Sequence, residues 1–371
     1  MKALNDAVTK FVENISISAW VIDEEHTIVY MNSLMRDLFG DLSGHNASVI
    51  YGGNEGGKEE ARSQGRRIRA LEERDGIAEV LIADVPFRRM STMADLGDDG
   101  KYTLELFEDI SEQKLVHTNM TRALAKINTE TRTAKNIQHS ILPIDDTYWD
   151  TIALSSLYKP AEELSGDFYD LLRLNDDEYL IYIADVMGHG IQTALVTVYM
   201  RERVRANIDV ALKGTDELLA TLVHDFNSIE IDGMMYVTMA LCKYSKAKRE
   251  LSISNAGHGC SPLIVRNNGR SEIIPIRGMP ICTLAEDMVY EEELISINPG
   301  DRLILYTDGI IEETDSVTGQ SLGAEGVREL AETHHMYSGS YLAKTIMDKS
   351  GSYALISPKD DRTIIIADIL S

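Results

Sequence analysis

Hydrophobic residues follow three different spacings along the chain. Up to about residue 110, short apolar runs alternate with charged or Gly-rich turns; AWVIDEEHTIVYMN (Ala19–Asn32) predicts two strands around a turn. SLMRDLFG has helical spacing and a stop at Gly40. IAEVLIADVPFRR and KYTLELFEDI predict further strands, whereas Tyr51–Gly65 predicts a loop or a weak helix. The pattern therefore predicts a small α+β domain over residues 1–110.

Residues 111–142 contain neither Gly nor Pro and carry small or apolar residues at heptad spacing. The seam consists of Val116, Met120, Ala123, Ile127, Glu130, Ala134, Ile137 and Ile141. A helix of ~30 residues spans roughly 45 Å and cannot bury such a seam alone. We therefore expect a signalling linker that forms a parallel coiled coil with a second copy of the chain. The alternative is a single helix packed on its own C-terminal domain.

The zone from residue 143 to 371 is dense in hairpin-spaced strands, with helical spacing gathered in blocks. Strands are predicted near 152–159, 167–174, 178–186, 234–244, 249–256, 262–267, 271–276, 293–298, 302–308 and 363–369. Helices are predicted at about 190–209, 215–230, 323–335 and 339–349. This arrangement indicates antiparallel sheets flanked by helices, again of the α+β class.

Composition and charge narrow the classes of function. The chain has 371 residues and a net charge of −24, with 36 Lys and Arg against 60 Asp and Glu, so we expect neither a nucleic-acid nor a membrane partner. Cys242, Cys260 and Cys282 have no CxxC spacing, which fits a reducing compartment. The N-terminal segment lacks a signal-peptide core, and no apolar run approaches the ~18 residues of a membrane span. We expect a cytoplasmic protein.

Four acidic clusters lie at predicted strand ends in the C-terminal zone. They are SGDFYD (Ser165–Asp170), IADVMGHG (Ile183–Gly190), LYTDGIIEE (Leu305–Glu313) and PKDDRTIII (Pro358–Ile366). A single Asp before Gly is usually a turn residue. Converging carboxylates, however, would repel one another unless cations neutralised them, and Mg²⁺ or Mn²⁺ suits such oxygen ligands. Two ions ~3.5–4 Å apart can activate a water molecule for attack on phosphorus.

The clusters, in this order, resemble the PPM metal-dependent protein phosphatases, specifically their bacterial SpoIIE-like branch. The resemblance covers roughly residues 135–371 and includes AKNIQHSILP, KPAEELSGDFYD, IADVMGHG, SNAGHGCSPLIV, INPGDRLILYTDGIIEE, SLGAEGVREL and KDDRTIII. It implies two antiparallel sheets flanked by helices, with two Mn²⁺ or Mg²⁺ ions at one edge. The implied reaction is hydrolysis of phosphoserine or phosphothreonine in a protein, without a covalent phosphoenzyme.

The resemblance also implies which residues form the site. Asp167 and Asp185 are the implied catalytic residues, with Asp185 bridging both ions. The implied metal ligands are Asp167, Asp185, the backbone carbonyl of Val186, Asp308 and Asp360, with the adjacent Asp361 as the alternative to Asp360. Asp170 is interpreted either as orienting a water molecule or as stabilising its turn.

The sequence departs from the animal members of the family at two places. Those members carry a phosphate-gripping Arg where this chain has Ala161, Glu162 and Glu163. Met187 stands at their general-acid His, and His189 is either a proton donor or a structural turn residue. The resemblance therefore leaves phosphate binding mainly to the metal ions, or to another cation for which Lys159 is a candidate.

The N-terminal zone resembles a PAS sensor domain on AWVIDEEHTIVYMN, SLMRDLFG and FEDISEQK. Its ligand is unknown; the absence of Cys argues against a flavin photoadduct. Together, the resemblances imply a PAS-like sensor (1–110), a coiled-coil linker (111–142) and a phosphatase domain (143–371) in a homodimer joined through the linker. The implied substrate is a phosphorylated STAS-type anti-sigma-factor antagonist, whose dephosphorylation activates a stress sigma factor.

Two other classes of function are alternatives to the phosphatase. A catalytically inactive metal-binding scaffold of the same fold would account for the missing Arg. A histidine kinase would use His139, but no Gly-rich ATP lid or Asn-rich helix follows, and Pro143 ends the helix at once.

Overall fold

The computed structural model describes residues 6–47, 68–74, 77–82, 84–95, 100–230, 234–283, 288–314, 319–353 and 360–371. The loop or weak helix predicted at 51–65 lies outside these residues, as do the first two residues of PKDDRTIII. The chain divides into two compact units, Met1–Lys126 and Ile127–Ser371. The predicted boundaries at residues 110 and 142 stay a prediction.

The first unit contains an antiparallel sheet whose strands follow the order β2-β1-β6-β5-β4-β3. Its elements are α1 (Asp6–Glu13), β1 (Ser18–Asp23), β2 (Ile28–Met31), α2 (Ser33–Phe39), β3 (Ile68–Arg74), β4 (Ile77–Ile82), β5 (Val85–Asp95) and β6 (Lys101–Asp109). Trp20, Met35 and Phe107 are fully buried and belong to one core. The predicted strand pair and the helix of SLMRDLFG are confirmed, and IAEVLIADVPFRR forms the hairpin of β4 and β5.

One helix, α3 (Ser111–Ile141), follows β6 and begins where the Asp109 carboxylate accepts a hydrogen bond from the Ser111 amide at 2.8 Å. All 31 of its residues are described, and Gln138 is the buried one among them. Most side chains of the predicted seam are exposed, including Met120 at 62% and Ile127 at 53%, whereas Ala134 and Ile141 are half-buried. The predicted helix is confirmed, and its pairing with a second helix stays a prediction.

The second unit contains two antiparallel sheets. Its elements are β7 (Asp146–Tyr148), β8 (Ile152–Lys159), β9 (Asp167–Arg173), β10 (Glu178–Val186), α4 (Ile191–Ala206), α5 (Ile208–Ala211), α6 (Thr215–Asn227), β11 (Tyr236–Ser245), β12 (Glu250–Ala256), β13 (Leu263–Val265), β14 (Ser271–Ile273), β15 (Ile281–Cys282), β16 (Glu293–Ser296), β17 (Arg302–Tyr306), α7 (Asp308–Ile311), α8 (Gly323–Thr333), α9 (Gly339–Gly351) and β18 (Arg362–Ile369). One sheet has the order β16-β12-β11-β10-β9, with β15 on β11, and the other β14-β13-β17-β18-β8-β7.

Both faces of the second sheet are covered, which explains the continuous apolar run at its centre. Along β18, Ile365 and Ala367 join the core that also holds β10 and the buried faces of α4 and α6. Their neighbours Ile364 and Ile366 pack with α8 and α9 instead. Side chains alternate across a strand, so a strand buried on both faces is apolar throughout. The predicted antiparallel sheets with flanking helices are confirmed.

Among the helices of the described residues, none combines the length and the apolar character needed to cross a bilayer.

Candidate metal centre

Two of the predicted aspartates are fixed side by side by strand pairing. Asp167 begins β9 and Asp185 lies one residue before the end of β10, and the two are direct partners in the antiparallel register. Side chains directly opposite one another on such a pair have Cβ atoms ~4.5–5.5 Å apart on the same face. The backbone therefore brings two carboxylates together at one end of the first sheet.

Two threonines at the strand ends of the second sheet contact Asp167. Thr307 follows β17, and its amide donates to the Thr363 carbonyl in β18 at 3.0 Å. Both hydroxyls also donate to Oδ2 of Asp167, that of Thr307 at 2.9 Å. These bonds join the two sheets at the strand ends, and they bring Asp308 and Asp361 to the edge that carries Asp167 and Asp185.

The carboxylates of this edge repel one another. Burial, with repulsion from Asp308, Asp360 and Asp361, raises the pKa of Asp185 to about 7. Burial and the charges of Asp185 and Asp361 raise the pKa of Asp167 well above its ordinary value, although two hydroxyl groups oppose the shift. The pKa values of Asp308 and Asp360 are raised too, first by the partial loss of water around each carboxyl group, although Asp360 as a whole residue stays exposed.

This charge distribution fits divalent cations. The groups that act on the pKa of Asp185 besides burial are all carboxylates. Hard cations with oxygen ligands would remove that repulsion. No group of three or more His, Cys, Asp or Glu side chains is already closed around one ion position in the described part of the chain. The residues present thus have the donor chemistry for metal ions, with side chains placed by protein hydrogen bonds.

The Val186 carbonyl, a predicted ligand, lies close to the loop before β9. A Cβ atom on Gly166 would stand 2.5 Å from the Val186 oxygen and 2.7 Å from Oδ1 of Asp185. Both distances are shorter than real Cβ contacts, so a glycine is needed here for the strand end and the loop to approach. In α7, a Cβ on Gly309 would lie 2.1 Å from the Asp361 carbonyl. The Gly residues beside Asp167 and Asp308 thus serve close backbone approach.

Asp360 and Asp361 differ in what their carboxylates already bind. Asp361 accepts hydrogen bonds from the Ala161 amide (2.7 Å), the Ser165 hydroxyl (2.6 Å) and the Gly166 amide (2.8 Å). An ionised carboxylate offers about four acceptor positions, so few remain on Asp361. Asp360 is exposed and accepts one backbone bond, from the Asp361 amide at 2.8 Å. The geometry thus leaves Asp360 the more available ligand of the two.

Asp170 belongs to the same cluster, SGDFYD, but faces away from Asp167. Its side chain is 1% exposed, and Oδ2 lies 3.1 Å from Nε of Arg201 and 2.8 Å from Nη2 of Arg205, both on α4. Burial raises the pKa of Asp170 above its ordinary value in spite of these two cations. Of the two interpretations of Asp170, the contacts favour a structural one, because it ties α4 to β9.

The two histidines near the site occupy different environments. His189 is 82% exposed in its side chain, with Nδ1 3.6 Å from Oε2 of Glu162. His258 is buried, and burial lowers its pKa to about 4. Its Nε2 faces the Tyr306 carbonyl at 3.0 Å and its Nδ1 faces the Thr238 hydroxyl at 3.2 Å. A neutral His258 that donates from Nε2 therefore connects the end of β17 to Thr238, the strand partner of Asp185.

Sequence reasoning did not single out the hydroxyl groups of the site. Thr307 and Thr363 hold Asp167, and Ser165 holds Asp361. A usable signal exists, because each hydroxyl residue stands one or two positions from a predicted ligand in the TDG, DDRT and SGD segments.

The chain was compared with known proteins. The family described as stage II sporulation protein E (SpoIIE) matches residues 175–370, which include Asp185, Asp308 and Asp360 but not Asp167. Phosphoserine phosphatase RsbP of Bacillus subtilis (strain 168) is 29% identical over 197 residues, 52% of this chain and 48% of RsbP. Phosphoserine phosphatase RsbU of the same organism is 22% identical over 253 residues, 67% of this chain and 73% of RsbU. The match thus spans about half the length of RsbP.

Among solved structures, the SiaA-PP2C domain of Pseudomonas aeruginosa superposes with a TM-score of 0.59 at 22% identity, over 67% of this chain and 98% of that domain. A likeness at this identity shows the fold, two sheets with flanking helices. Because the SpoIIE family matches more than half of the residues, and because the predicted PPM-type motifs lie at the ends of the expected strands, the chain belongs to the SpoIIE family.

Proposed function

We propose that this chain is a divalent-cation-dependent phosphatase that acts on phosphoserine or phosphothreonine in a protein. The observation that carries the proposal is the pairing of Asp167 and Asp185 across β9 and β10, where the repelling charges of Asp308 and Asp360 are added. The family supports it, and so do the relatives RsbP and RsbU, which are named phosphoserine phosphatases.

The proposed ligands of two Mn²⁺ or Mg²⁺ ions are Asp167, Asp185, the Val186 carbonyl, Asp308 and Asp360. Such ions, when bound, supply charge neutralisation, polarise phosphoryl oxygens and lower the pKa of water. The protein positions the acids: Thr307 and Thr363 orient Asp167 by hydrogen bonds, and Asp361 holds the Ser165–Gly166 segment. Asp361 is thus proposed as a positioning group and Asp360 as the ligand.

The test of this proposal is phosphate release from a seryl-phosphorylated STAS-domain protein. We expect release with Mn²⁺ or Mg²⁺ and none with excess chelator. The control is Asp176→Asn, at a side chain that is fully exposed on a surface turn and that we expect to leave the rate unchanged. Release that continues in chelator would contradict the proposal.

An inactive scaffold is the second candidate, favoured by Ala161, Glu162 and Glu163 where animal relatives carry a phosphate-gripping Arg. The same assay separates the two functions. A scaffold would retain the phosphorylated STAS protein in a pull-down with the full chain and release no phosphate under any cation.

Regulation by the N-terminal unit is part of the proposal. We assign residues 1–110 to a PAS-like sensor, 111–142 to the linker and 143–371 to the phosphatase domain. The described strands and helices of the first unit support the sensor, and its last strand, β6, runs through Ile110 directly into α3. The proposed substrate is a phosphorylated STAS-type antagonist of an anti-sigma factor, the substrate that the SpoIIE-like resemblance implies. The names of RsbP and RsbU as phosphoserine phosphatases support phosphoserine as the group removed.

The linker seam is proposed to pair with a second copy of the chain. Val116, Met120 and Ile127 are 60%, 62% and 53% exposed, which leaves an apolar stripe at the spacing of a two-stranded coiled coil. We expect Met120→Glu/Ile127→Glu to convert a dimer into a monomer, because the carboxylates would be buried in the seam. Light scattering after size exclusion measures the mass.

The matched control for the linker is Thr118→Glu/Asn128→Glu, which adds the same charge at exposed positions of α3 outside the seam. It should remain dimeric. A monomeric wild-type chain, or a dimer that survives the seam variant, would show that the helix does not pair in this way.

A further inference from the structure

One polar residue of the linker helix is buried in the second unit. Gln138 is 3% exposed, whereas its neighbours on α3, Ile137 and His139, are exposed. Its Nε2 donates to the Ser165 carbonyl at 2.7 Å, and its Oε1 accepts from the Ser165 amide at 3.2 Å. The side chain thus pairs with both backbone groups of one residue, as a neighbouring strand would.

Ser165 connects Gln138 to two acids of the metal centre by hydrogen bonds. Its hydroxyl donates to Oδ2 of Asp361 at 2.6 Å and accepts from the Asp167 amide at 3.1 Å. A shift of Ser165 would therefore move the backbone of Asp167 and release one bond from Asp361. Gln138 itself touches neither carboxylate.

The amide also reaches α4, the helix that follows the Asp185 segment. Nε2 of Gln138 lies 3.1 Å from the hydroxyl of Thr197, which donates in turn to the Ala194 carbonyl at 2.7 Å. Gln138 therefore joins three elements: the linker helix, the segment before β9 and the first half of α4. Asp167 follows one of these elements and Asp185 precedes another.

The chemistry of the contact requires an amide. Gln138 uses donor and acceptor at once, and a carboxylate or an aliphatic side chain supplies only one function or neither. Burial of an amide is unfavourable unless its hydrogen bonds are made, so a shift of α3 that broke these bonds would leave a buried amide unsatisfied. That property makes a buried Gln suitable for fixing a position.

We propose that Gln138 is a positioning residue of the metal centre, through which the linker helix holds Ser165 and α4 so that Asp167 and Asp185 keep their places. This inference rests on the proposed function, because Gln138 is proposed to position the ligands of the same metal centre. Groups hydrogen-bonded to metal ligands typically change metal affinity 10–100-fold when they are removed. Gln138 lies one residue further from the ligands, so we expect an effect at the low end of that range.

The test uses the full chain and measures Mn²⁺ binding by titration calorimetry, separately from phosphate release. We expect Gln138→Ala to weaken Mn²⁺ binding about tenfold or more. The matched control is Asn136→Ala, which removes an exposed amide from the same helix and should bind Mn²⁺ as the wild type does. Gln138→Glu should also bind weakly, since it has no N–H for Ser165 and Thr197.

A double-mutant cycle distinguishes positioning from general support of the fold. Thr197→Val removes the α4 contact and Thr197→Ser keeps it, so we expect weakened Mn²⁺ binding in the first and wild-type binding in the second. Effects of Gln138→Ala and Thr197→Val on Mn²⁺ affinity should be less than additive, because the two residues share one bond. If Gln138 had a merely structural role, Gln138→Ala would lower the melting temperature of the metal-free protein and leave its Mn²⁺ affinity unchanged.

The outcomes separate this inference from the proposed function. Wild-type phosphate release together with unchanged Mn²⁺ affinity in Gln138→Ala overturns the inference and leaves the function in place. Mn²⁺ binding that depends on Gln138, without phosphate release by the wild type, overturns the function and leaves the inference. A wild-type chain that binds no Mn²⁺ overturns the inference as well.

Discussion

Replacing Asp185 by Asn is expected to abolish phosphate release and, at the same time, to stabilise the metal-free protein. Metal ions supply several kcal/mol of transition-state stabilisation, so loss of the proposed bridging ligand should reduce the rate at least ~1,000-fold. Stability should change in the opposite direction, because burial and three neighbouring acids raise the pKa of Asp185 from 3.8 to about 7. The ionised form is therefore disfavoured in the folded state.

The sign of the pH dependence follows from the raised pKa. An Asp that binds its proton more tightly when folded loses folding free energy as the pH rises from its unfolded to its folded pKa. For Asp185 that interval runs from 3.8 to about 7. A shift of about three units corresponds to at most ~4 kcal/mol. The advantage of Asp185→Asn should thus be absent near pH 4 and complete above about pH 7.

Urea unfolding in chelator at pH 4.5 and pH 8 measures this effect, with phosphate release measured in parallel. Asp176→Asn serves as control, because its side chain is fully exposed. Added Mn²⁺ should stabilise the wild type and leave Asp185→Asn nearly unchanged, since a ligand stabilises only the state that binds it. A variant less stable than the wild type at pH 8 would show that burial of the ionised carboxylate and its repulsion by the neighbouring acids do not dominate at Asp185.

Much of the architecture could be predicted from spacing, because strands and long helices leave a period in the sequence. The predicted strands and helices of residues 152–369 are present, with ends shifted by a few residues. Elements too short to show a period were missed, namely β7 (Asp146–Tyr148), β15 (Ile281–Cys282) and the four-residue helices α5 (Ile208–Ala211) and α7 (Asp308–Ile311). The predicted strand at 302–308 ends at Tyr306, because Asp308 begins that helix.

The candidate site could be predicted only in part, because contacts between distant segments leave no local period. Order and type of the acidic clusters indicated a shared site, but spacing could not reveal that Asp167 and Asp185 are direct strand partners. The opposite orientations of Asp167 and Asp170 could have been predicted, since residues three apart on a strand point to opposite faces. The burial of Gln138 could not be predicted, because a heptad pattern does not show which polar position packs against the rest of the chain.

Asp170→Asn is expected to act on stability in the opposite direction to Asp185→Asn, although both remove one carboxylate from neighbouring strands. Asp170 is 1% exposed and faces Arg201, whose side chain is 9% exposed. Its raised pKa indicates that burial outweighs the attraction of the cations at Asp170 itself. The expected loss, about 3 kcal/mol, therefore arises mainly from the Arg201 guanidinium left buried without its acid.

A double variant tests this origin of the loss. Asp170→Leu/Arg201→Met replaces both buried charges by apolar groups, and well-packed replacements of buried ion pairs are often neutral or stabilising. We expect it to unfold at higher urea concentration than Asp170→Asn, while Arg205, 38% exposed, remains solvated. Mn²⁺ affinity should fall far less in Asp170→Asn than in Asp185→Asn, because Asp170 faces α4 and not the metal centre. Equal losses of Mn²⁺ binding in the two variants would show that Asp170 contributes to metal binding, and they would contradict its structural role.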